Sequence, residues 1–284
     1  MRVAVIGTGT MGARVALRSA QYGCEVIAIA RDRERTRRRL EAAADEVDAR
    51  AALAHVTIAD DHAAASGAAM VYEAIPERLA EKQHLFAELE SIVDARVPLV
   101  SGTSTFFPEQ LASSMKFPAR VFVAHFVHPV TMVPLAEIVA PADADAQALA
   151  VFERWIETIA LEALRLPAPL PGFIINRLQF ALLREALHIV ERGGATAEQV
   201  DRIMRLGLAP RWTATGPIAS VALGGPATFA DVARSVVPTL DARGEIPFLA
   251  GRRAELAEPD PPARARAAAA RKKAYAFARS LARE

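Results

Sequence analysis

The chain opens with Met1-Arg-Val-Ala-Val-Ile-Gly7-Thr-Gly9-Thr-Met-Gly12, and this stretch decides the fold. Residues 3–6 form a short apolar run of the kind found in buried parallel strands, and a helix-like pattern follows it. A Gly-x-Gly-x-x-Gly pattern between a strand and a helix is typical of a dinucleotide-binding turn.

Each glycine has a separate task in such a turn. Gly7 permits a tight bend, Gly9 lets the backbone approach a pyrophosphate, and Gly12 lets helix and strand pack closely. The N-terminus of the helix then offers unpaired N–H groups to the phosphates. The predicted cofactor contacts in this turn are Gly7, Gly9, Thr10, Met11 and Gly12.

The composition limits the class of protein. The 284 residues suggest two domains, and 52% of them are hydrophobic, which is enough for a packed core. No apolar run approaches the length of a membrane span. The single cysteine, Cys24, excludes an internal disulfide, and a strand at residue 2 leaves no room for a signal peptide. The net charge of +1 gives no reason to expect a nucleic-acid partner. The single cysteine fits a reducing cytoplasm, and we expect a cytoplasmic protein without membrane or metal partners.

Short apolar runs alternate with helix-like stretches as far as residue 166, which predicts an α/β domain with a doubly wound, Rossmann-type sheet. The predicted strands are residues 2–6, 25–30, 56–58, 70–73, 99–101, 121–124, 135–139 and 163–166, with helices at 11–22, 79–93 and 145–159. Prolines at positions 167, 169 and 171 then mark a break. Helix-like patterns follow at residues 173–192, 196–206, 227–240 and 262–283. We therefore expect a dinucleotide-binding domain at residues 1–168 and an all-α substrate and dimerisation domain at residues 169–284.

The end of the second predicted strand bears on the choice between NAD and NADP. A carboxylate about twenty residues beyond the glycines usually binds the ribose of NAD, but Ala30 stands there, followed by Arg31 and Asp32. The missing carboxylate removes repulsion against a 2′-phosphate, and Arg31 can supply a charge-assisted partner for it. This favours NADP, with Arg31 as its ligand. Two alternatives stay open: Arg31 lies only on the exposed face of a charged helix, or Asp32 reaches the ribose of NAD.

Four further segments carry polar residues in a recognisable order. They are Val-Tyr-Glu-Ala-Ile-Pro-Glu-Arg-Leu-Ala-Glu-Lys (71–82), Leu-Val-Ser-Gly-Thr-Ser-Thr (99–105), Ala-His-Phe-Val-His-Pro-Val-Thr-Met-Val-Pro-Leu-Ala-Glu-Ile-Val (124–139) and Pro-Gly-Phe-Ile-Ile-Asn-Arg-Leu (171–178). With the N-terminal glycines, they resemble the L-3-hydroxyacyl-CoA dehydrogenase family, over most of the first 240 residues. The resemblance implies an oxidoreductase that transfers hydride between NAD(P) and the 3-hydroxyl or 3-keto group of an L-3-hydroxy acid or its thioester.

The resemblance also implies roles for single residues. The family's catalytic histidine corresponds to His125, and the glutamate that orients it corresponds to Glu137. The groups that bind the substrate oxygen correspond to Ser104 and Asn176. The glutamate and lysine that contact the cofactor correspond to Glu77 and Lys82.

The chemistry of these side chains supports the same roles. Removing hydride from a secondary alcohol requires a base for the hydroxyl proton, and histidine can act as base or acid near neutral pH. A carboxylate on the other ring nitrogen fixes the tautomer and stabilises the imidazolium, so we expect His125 and Glu137 to form such a pair. Donors such as Ser104 and Asn176 can stabilise charge on the reacting oxygen.

Three features depart from the family pattern. His128 stands where the family has an asparagine, and it either binds the substrate in that residue's place or is a tolerated substitution. Gly102 also replaces an asparagine, and we expect it to remove one polar contact near the nicotinamide. Only one helix is expected between residues 30 and 56, where fatty-acid-oxidation members carry a hairpin that helps to hold coenzyme A. This weakens the case for a free acyl-CoA substrate.

Residues 207–217 resemble the branch of the family that acts on free hydroxy acids, such as L-gulonate 3-dehydrogenase and carnitine dehydrogenase. Arg211 can bind a substrate carboxylate through two hydrogen bonds, with Trp212 as a wall of the pocket. The competing interpretation is an interface or loop arginine beside a core tryptophan.

The helix-like stretch at residues 173–190 indicates whether the chain associates with a second copy of itself. It carries apolar side chains on nearly all sides, and such a helix is normally buried. A helical domain of about 115 residues has little else to cover it, so we expect a homodimer. Two other functions stay open: action on a 3-hydroxyacyl group tethered to an acyl carrier protein, and cofactor binding without catalysis.

Overall fold

The computed structural model of the chain describes residues 1–168, 170–246 and 260–281, apart from the side chain of residue 279. The chain divides into two compact units, Met1–Ile174 and Ile175–Glu284. The expected end of the last helix, at residue 283, lies outside the described residues. Within the described ranges, every helix is too short or too polar to span a lipid bilayer.

The first unit contains one eight-stranded sheet with the spatial order β3-β2-β1-β4-β5-β6-β7-β8. Its strands are β1 (Arg2–Ile6), β2 (Glu25–Ile29), β3 (Val56–Ala59), β4 (Met70–Glu73), β5 (Leu99–Ser101), β6 (Val121–Phe126), β7 (Leu135–Val139) and β8 (Glu162–Arg165). Neighbouring strands are parallel except for β6 and β7. The strand order reverses between β1 and β4, and ligands of such sheets bind at the carboxyl ends of the strands at this point.

Strand β6 is longer than the sequence predicted. It extends to Phe126 instead of ending at residue 124, because β7 pairs with it in antiparallel register and supplies hydrogen bonds to the additional residues. His125 therefore lies inside a strand instead of in the loop after it. A residue held by a sheet has less freedom than one in a loop, which suits a side chain that must be positioned accurately.

Helices cover both faces of this sheet. They are α1 (Thr10–Gln21), α2 (Arg33–Glu46), α3 (Leu79–Ile92), α4 (Pro108–Leu111) and α5 (Ala146–Thr158), with 3-10 turns at Arg50–His55, His62–Ala65 and Pro118–Arg120. Alternate strand residues face opposite sides, so Val3 and Tyr72 pack with α1 and α5 whereas Ile6 and Val71 pack with α3. The loops at the carboxyl edge are left to form a site.

The second unit is helical. Its elements are α6 (Phe173–Glu191), which starts in the first unit, then α7 (Ala197–Ile203), α8 (Ala209–Gly224), α9 (Pro226–Val236) and α10 (Pro261–Leu281). A π-helical turn at Met204–Leu208 and a 3-10 turn at Val237–Thr239 complete the described part. The predicted fold class, a Rossmann-type sheet followed by an all-α domain, is confirmed.

Helix α8 was not predicted from the sequence. Pro210 lies in the first turn of α8, directly after the π-helical turn at Met204–Leu208. Gly216 has a φ of +67°, and this residue bends the helix so that Pro217 can start the following segment.

Candidate active site

The glycine-rich turn has the geometry that a dinucleotide requires. Gly7 has a φ of +86°, and a Cβ there would lie 2.6 Å from the Ala74 carbonyl oxygen. A Cβ on Gly12 would lie 1.8 Å from the Gly7 carbonyl oxygen, so helix α1 packs directly on the turn. By contrast, nothing lies within 4 Å of a Cβ placed on Gly9. Two glycines are needed for packing, and the middle one leaves open space for a ligand.

The N-terminus of α1 is not capped by a side chain. Gly9 is the N-cap residue, and the first turn of the helix contains no acidic residue. The first N–H groups of the helix attract an anion because no carboxylate occupies them and the helix dipole points its positive end there. This donor set fits the pyrophosphate of NAD, which Gly9, Thr10 and Met11 would hold.

A cleft of about 740 Å³ opens at the carboxyl ends of β1 and β2. Its lining includes Gly7 from the turn and Ala30, Arg31 and Asp32 from the end of β2. Arg31 is exposed, whereas the Asp32 carboxylate caps α2 by accepting a 2.8 Å hydrogen bond from the Arg35 N–H. The structure thus brings an arginine to the cleft and gives the neighbouring carboxylate a structural task.

His125 and Glu137 face each other across the antiparallel pair β6–β7. The His125 Nδ1 lies 2.7 Å from Glu137 Oε2, and the two residues are only 6% and 2% exposed. The other carboxylate oxygen accepts a 2.8 Å hydrogen bond from the Ile174 N–H, and the Phe173 ring centroid lies 4.9 Å from that of the imidazole. Among the described residues, His125 Nε2 has no hydrogen-bond partner. The pair is locked on one side and leaves one ring nitrogen for a substrate proton.

Glu77 organises the loop after β5. Its Oε1 accepts hydrogen bonds from the Ser104 N–H at 2.9 Å and the Thr105 hydroxyl at 2.7 Å, and also from the Thr103 hydroxyl. Burial works to raise the pKa of Glu77, but the two threonine hydroxyls and the Lys82 ammonium outweigh it and lower this pKa. Glu77 therefore stays ionised and fixes the backbone of Ser104.

Sequence reasoning missed Glu73, a second buried carboxylate. Its Oε1 lies 2.6 Å from Lys82 Nζ and accepts a 2.7 Å hydrogen bond from the Ile75 N–H, and its Oε2 accepts one of 2.5 Å from the Ser101 hydroxyl. Lys82 also lies 3.3 Å from a Glu77 oxygen and is 1% exposed. Lys82, which was expected to contact the cofactor, thus points into a buried network. A carboxylate at the end of an otherwise apolar strand was the signal that could have revealed Glu73.

The remaining predicted site residues lie in different parts of the chain. Ser104 is half-buried in the loop after β5, and His128 is exposed in the connection between β6 and β7. Asn176 is half-buried on α6, and Arg211 is exposed in the first turn of α8, both in the second unit. The roles assigned to these four residues stay predictions.

The space beside Gly102 is filled from the neighbouring strand. A Cβ on Gly102 would lie 2.1 Å from Tyr72 Oη, so no larger residue fits while Tyr72 is in place. The Tyr72 ring packs against Phe126 and Trp155, with ring centroids 5.4 Å and 5.7 Å away. A phenolic hydroxyl from β4 thus lies beside Gly102. The expectation that Gly102 removes one polar contact near the nicotinamide stays a prediction.

Comparisons with known proteins agree with this geometry. The model of the 3-hydroxyacyl-CoA dehydrogenase NAD binding domain matches residues 2–166, and that of the family's C-terminal domain matches residues 172–247. L-carnitine dehydrogenase of Streptomyces coelicolor is 34% identical over 79% of this chain and 73% of that protein. Lambda-crystallin of Oryctolagus cuniculus is 31% identical over 66% of this chain and 60% of that protein.

Solved structures give the same result. The crystal structure of 5-formyl-3-hydroxy-2-methylpyridine 4-carboxylic acid 5-dehydrogenase, described as an NAD⁺-dependent dismutase, has a TM-score of 0.86 at 26% identity and covers 99% of this chain and 98% of that one. FadB2 of M. tuberculosis has a TM-score of 0.67 at 33% identity, over 73% of this chain and 78% of that one. The chain is thus an NAD-dependent dehydrogenase that belongs to the 3-hydroxyacyl-CoA dehydrogenase family, in the branch that includes carnitine dehydrogenase and lambda-crystallin.

Proposed function

We propose that this protein oxidises the 3-hydroxyl group of a small free L-3-hydroxy acid. The observation that carries the proposal is the buried His125–Glu137 pair, whose 2.7 Å contact leaves Nε2 open. In this assignment Nε2 takes the proton of the substrate hydroxyl, and Glu137 stabilises the imidazolium that forms. Bound NAD supplies the acceptor for the hydride. In the reverse direction the same nitrogen returns the proton to the reduced oxygen.

Ser104 is proposed to donate a hydrogen bond to the reacting oxygen. Its backbone is fixed by the 2.9 Å bond to Glu77, whose ionised state is maintained by the surrounding hydroxyls. A donor that is already positioned stabilises developing charge better than one that must first be ordered. The family resemblance assigns Asn176 the same task, and His128 a contact with the substrate.

A free acid is favoured over a coenzyme A thioester by two observations. Between β2 and β3 the chain has one α-helix, α2, and a 3-10 turn at Arg50–His55, so the hairpin of the fatty-acid-oxidation members is absent from this described segment. The similar carnitine and pyridine-carboxylate dehydrogenases are named for substrates with a free carboxylate. Arg211 is proposed to bind such a carboxylate, since its guanidinium is exposed and can form two parallel hydrogen bonds.

A substrate panel tests this proposal directly. Free 3-hydroxy acids, their coenzyme A thioesters and carrier-protein thioesters are incubated with the protein and NAD⁺, and reduced cofactor is followed by absorbance. The proposal expects turnover of free acids, with His125→Gln as the inactive control. Turnover of carrier-bound groups alone would instead assign the protein to tethered substrates. Cofactor binding without turnover on any member would support a non-catalytic role, as the similarity to lambda-crystallin allows.

The second proposal concerns the nucleotide. Arg31 is proposed to bind the 2′-phosphate of NADP, because it is exposed in the cleft while Asp32 is used as a helix cap. One charge-assisted contact is worth about 1.5–3 kcal/mol, or roughly ten- to a hundredfold in affinity. Arg31→Ala should then weaken NADP by that factor and leave NAD unchanged.

The competing account of the nucleotide uses Asp32 as the ribose ligand of NAD. The NAD⁺ dependence described for the pyridine-carboxylate dehydrogenase favours it. It expects Asp32→Ala to weaken NAD and Arg31→Ala to change little, so the same pair of variants separates the two accounts.

A homodimer is the proposed assembly. Large apolar side chains of the second unit are exposed, including Ile218 at 88% and Leu223 at 76% on α8. A contiguous exposed apolar surface normally marks an interface, and a second copy of the chain would cover these side chains. Others are Leu178, Phe180, Leu182, Ile203, Leu206, Val232 and Val236. Light scattering at micromolar concentration should give the mass of two chains, and a monomer there would rule the dimer out.

A further inference from the structure

A phenolic hydroxyl at the carboxyl edge of the sheet has no partner within the described protein. Tyr72 is 1% exposed, and no hydrogen bond to its Oη is found among the described residues. This oxygen keeps some contact with solvent, because it does not belong to the fully buried polar atoms that lack a partner. Hydroxyl groups of buried tyrosines usually find a partner, because an unpaired one is costly. The missing partner therefore points to a ligand that reaches this oxygen from outside.

The position of the hydroxyl in the sheet determines which part of a bound dinucleotide it could contact. The strand order of the sheet reverses between β1 and β4, and the cleft with Arg31 lies at β2, on one side of this point. The adenosine ribose of a dinucleotide binds on this side. Tyr72 lies in β4, on the opposite side, and pairs in register with Val100 of β5. The nicotinamide half of the cofactor extends over these strands, because the pyrophosphate is held at the turn between the two sides.

The local packing holds the hydroxyl at a fixed place. The ring is flanked by Phe126 and Trp155, and the oxygen lies over Gly102, where a Cβ would come within 2.1 Å. Burial, with smaller contributions from Glu73 and Glu77, raises the pKa of Tyr72, so the phenol stays protonated. A fixed neutral hydroxyl can both donate and accept a hydrogen bond.

We propose that the Tyr72 hydroxyl binds the carboxamide of the nicotinamide ring. The carboxamide has a carbonyl acceptor and an N–H donor, which match the two capacities of a phenol. Gly102 is required beside it, because any side chain there would displace the hydroxyl. Tyr72 and Gly102 thus form one unit that anchors the ring. This inference rests on cofactor binding and is independent of which hydroxy acid is oxidised.

Binding titrations without substrate test the proposal. Tyr72→Phe removes only the hydroxyl and keeps the ring packing, and Tyr22→Phe makes the same chemical change on a side chain that is 45% exposed on the end of α1. The affinities for NADH and for ADP-ribose, which lacks the nicotinamide, are measured by calorimetry. Tyr72→Phe should weaken NADH by about three- to tenfold, as expected for one neutral hydrogen bond. ADP-ribose affinity should be unchanged, and Tyr22→Phe should leave both affinities unchanged.

Other results overturn the proposal. Unchanged NADH affinity in Tyr72→Phe would show that the hydroxyl does not bind the ring. An equal loss of NADH and ADP-ribose affinity, or a failure to fold, would show that the hydroxyl serves packing alone. Because no hydroxy acid is used, these outcomes say nothing against the proposed reaction, and failure of the substrate panel says nothing against Tyr72.

Discussion

Glu73 and Glu137 are two buried carboxylates of the first unit that each bind a basic side chain, but only one of these basic side chains keeps an atom without a partner. Glu73 binds Lys82 at 2.6 Å, and Glu137 binds His125 at 2.7 Å, and all four residues are at most 6% exposed. Lys82 is paired with two carboxylates and directs its ammonium inward. The imidazole of His125 has a second nitrogen without a partner among the described residues.

This comparison shows that burial of a charged pair does not by itself identify a catalytic group. Breaking a buried pair leaves an uncompensated charge, so such pairs are often structural. The Glu73 network closes on itself, whereas the Glu137 network ends on an atom that can accept a proton. Function is expected where a buried network leaves a reactive atom uncovered.

The largest expected effect is on catalysis. Glu137→Gln would place an amide N–H against His125 Nδ1 and favour the tautomer with its proton on Nε2, which cannot act as a base. We expect turnover of the accepted substrate to fall by about a hundred- to ten-thousandfold. Steady-state kinetics measure this. Glu73→Gln is the matched control, and its folded form should lose no comparable activity. A larger loss of turnover in Glu73→Gln than in Glu137→Gln would show that Glu73, and not Glu137, supports catalysis.

The next effect is on stability. Lys82→Met keeps an unbranched side chain that is one atom shorter, but it leaves the Glu73 carboxylate buried and without its cation. We expect a loss of about 3–5 kcal/mol in the free energy of unfolding, measured with urea. A stable variant with a large loss of NADH affinity would instead show that Lys82 contacts the cofactor.

The stability of the same variant should depend more strongly on pH than that of the native protein. Burial raises the pKa of Glu73, and the Lys82 ammonium opposes this, so removing Lys82 leaves the carboxyl with a further raised pKa. A raised pKa means that the protonated form is favoured in the folded state. The stability of both proteins should therefore fall as pH rises above about 4, the ordinary range for glutamate. That of Lys82→Met should go on falling at pH values where that of the native protein has levelled off, because its Glu73 pKa is higher. Parallel curves for the two proteins between pH 4 and 8 would contradict this.

A smaller effect is expected at Ser101. Ser101→Ala removes the 2.5 Å hydrogen bond to Glu73 Oε2 without removing a charge. The expected loss is about 1–3 kcal/mol in the free energy of unfolding, with turnover nearly unchanged. If Ser101→Ala and Lys82→Met lost equal free energies of unfolding, the ion pair would contribute no more to stability than the hydrogen bond from Ser101.

The sequence predicted what depends on local pattern. The turn at Gly7 and Gly12 and the fold class follow from a strand–glycine–helix order within a dozen residues. The family resemblance paired His125 with Glu137, and in the structure these two are cross-strand neighbours. These features need no knowledge of distant contacts.

The features that were missed depend on contacts across the sheet. The contact between Tyr72 and Gly102 joins β4 to the end of β5, and neither residue alone indicates it. Lys82 points towards Glu73 only because α3 packs back on β4. Helix α8 was missed because Pro210 and Pro217 look like breaks unless their places in the helix are known.

The most direct test of the central claim, that His125 is the acid–base group, is a single variant with two measurements. His125→Gln should bind NADH within about twofold of the native affinity, because His125 lies outside the glycine turn. Its turnover with the best substrate of the panel should fall at least about a hundredfold, the loss expected when a general base is removed. Near-native turnover with intact NADH binding would contradict the account.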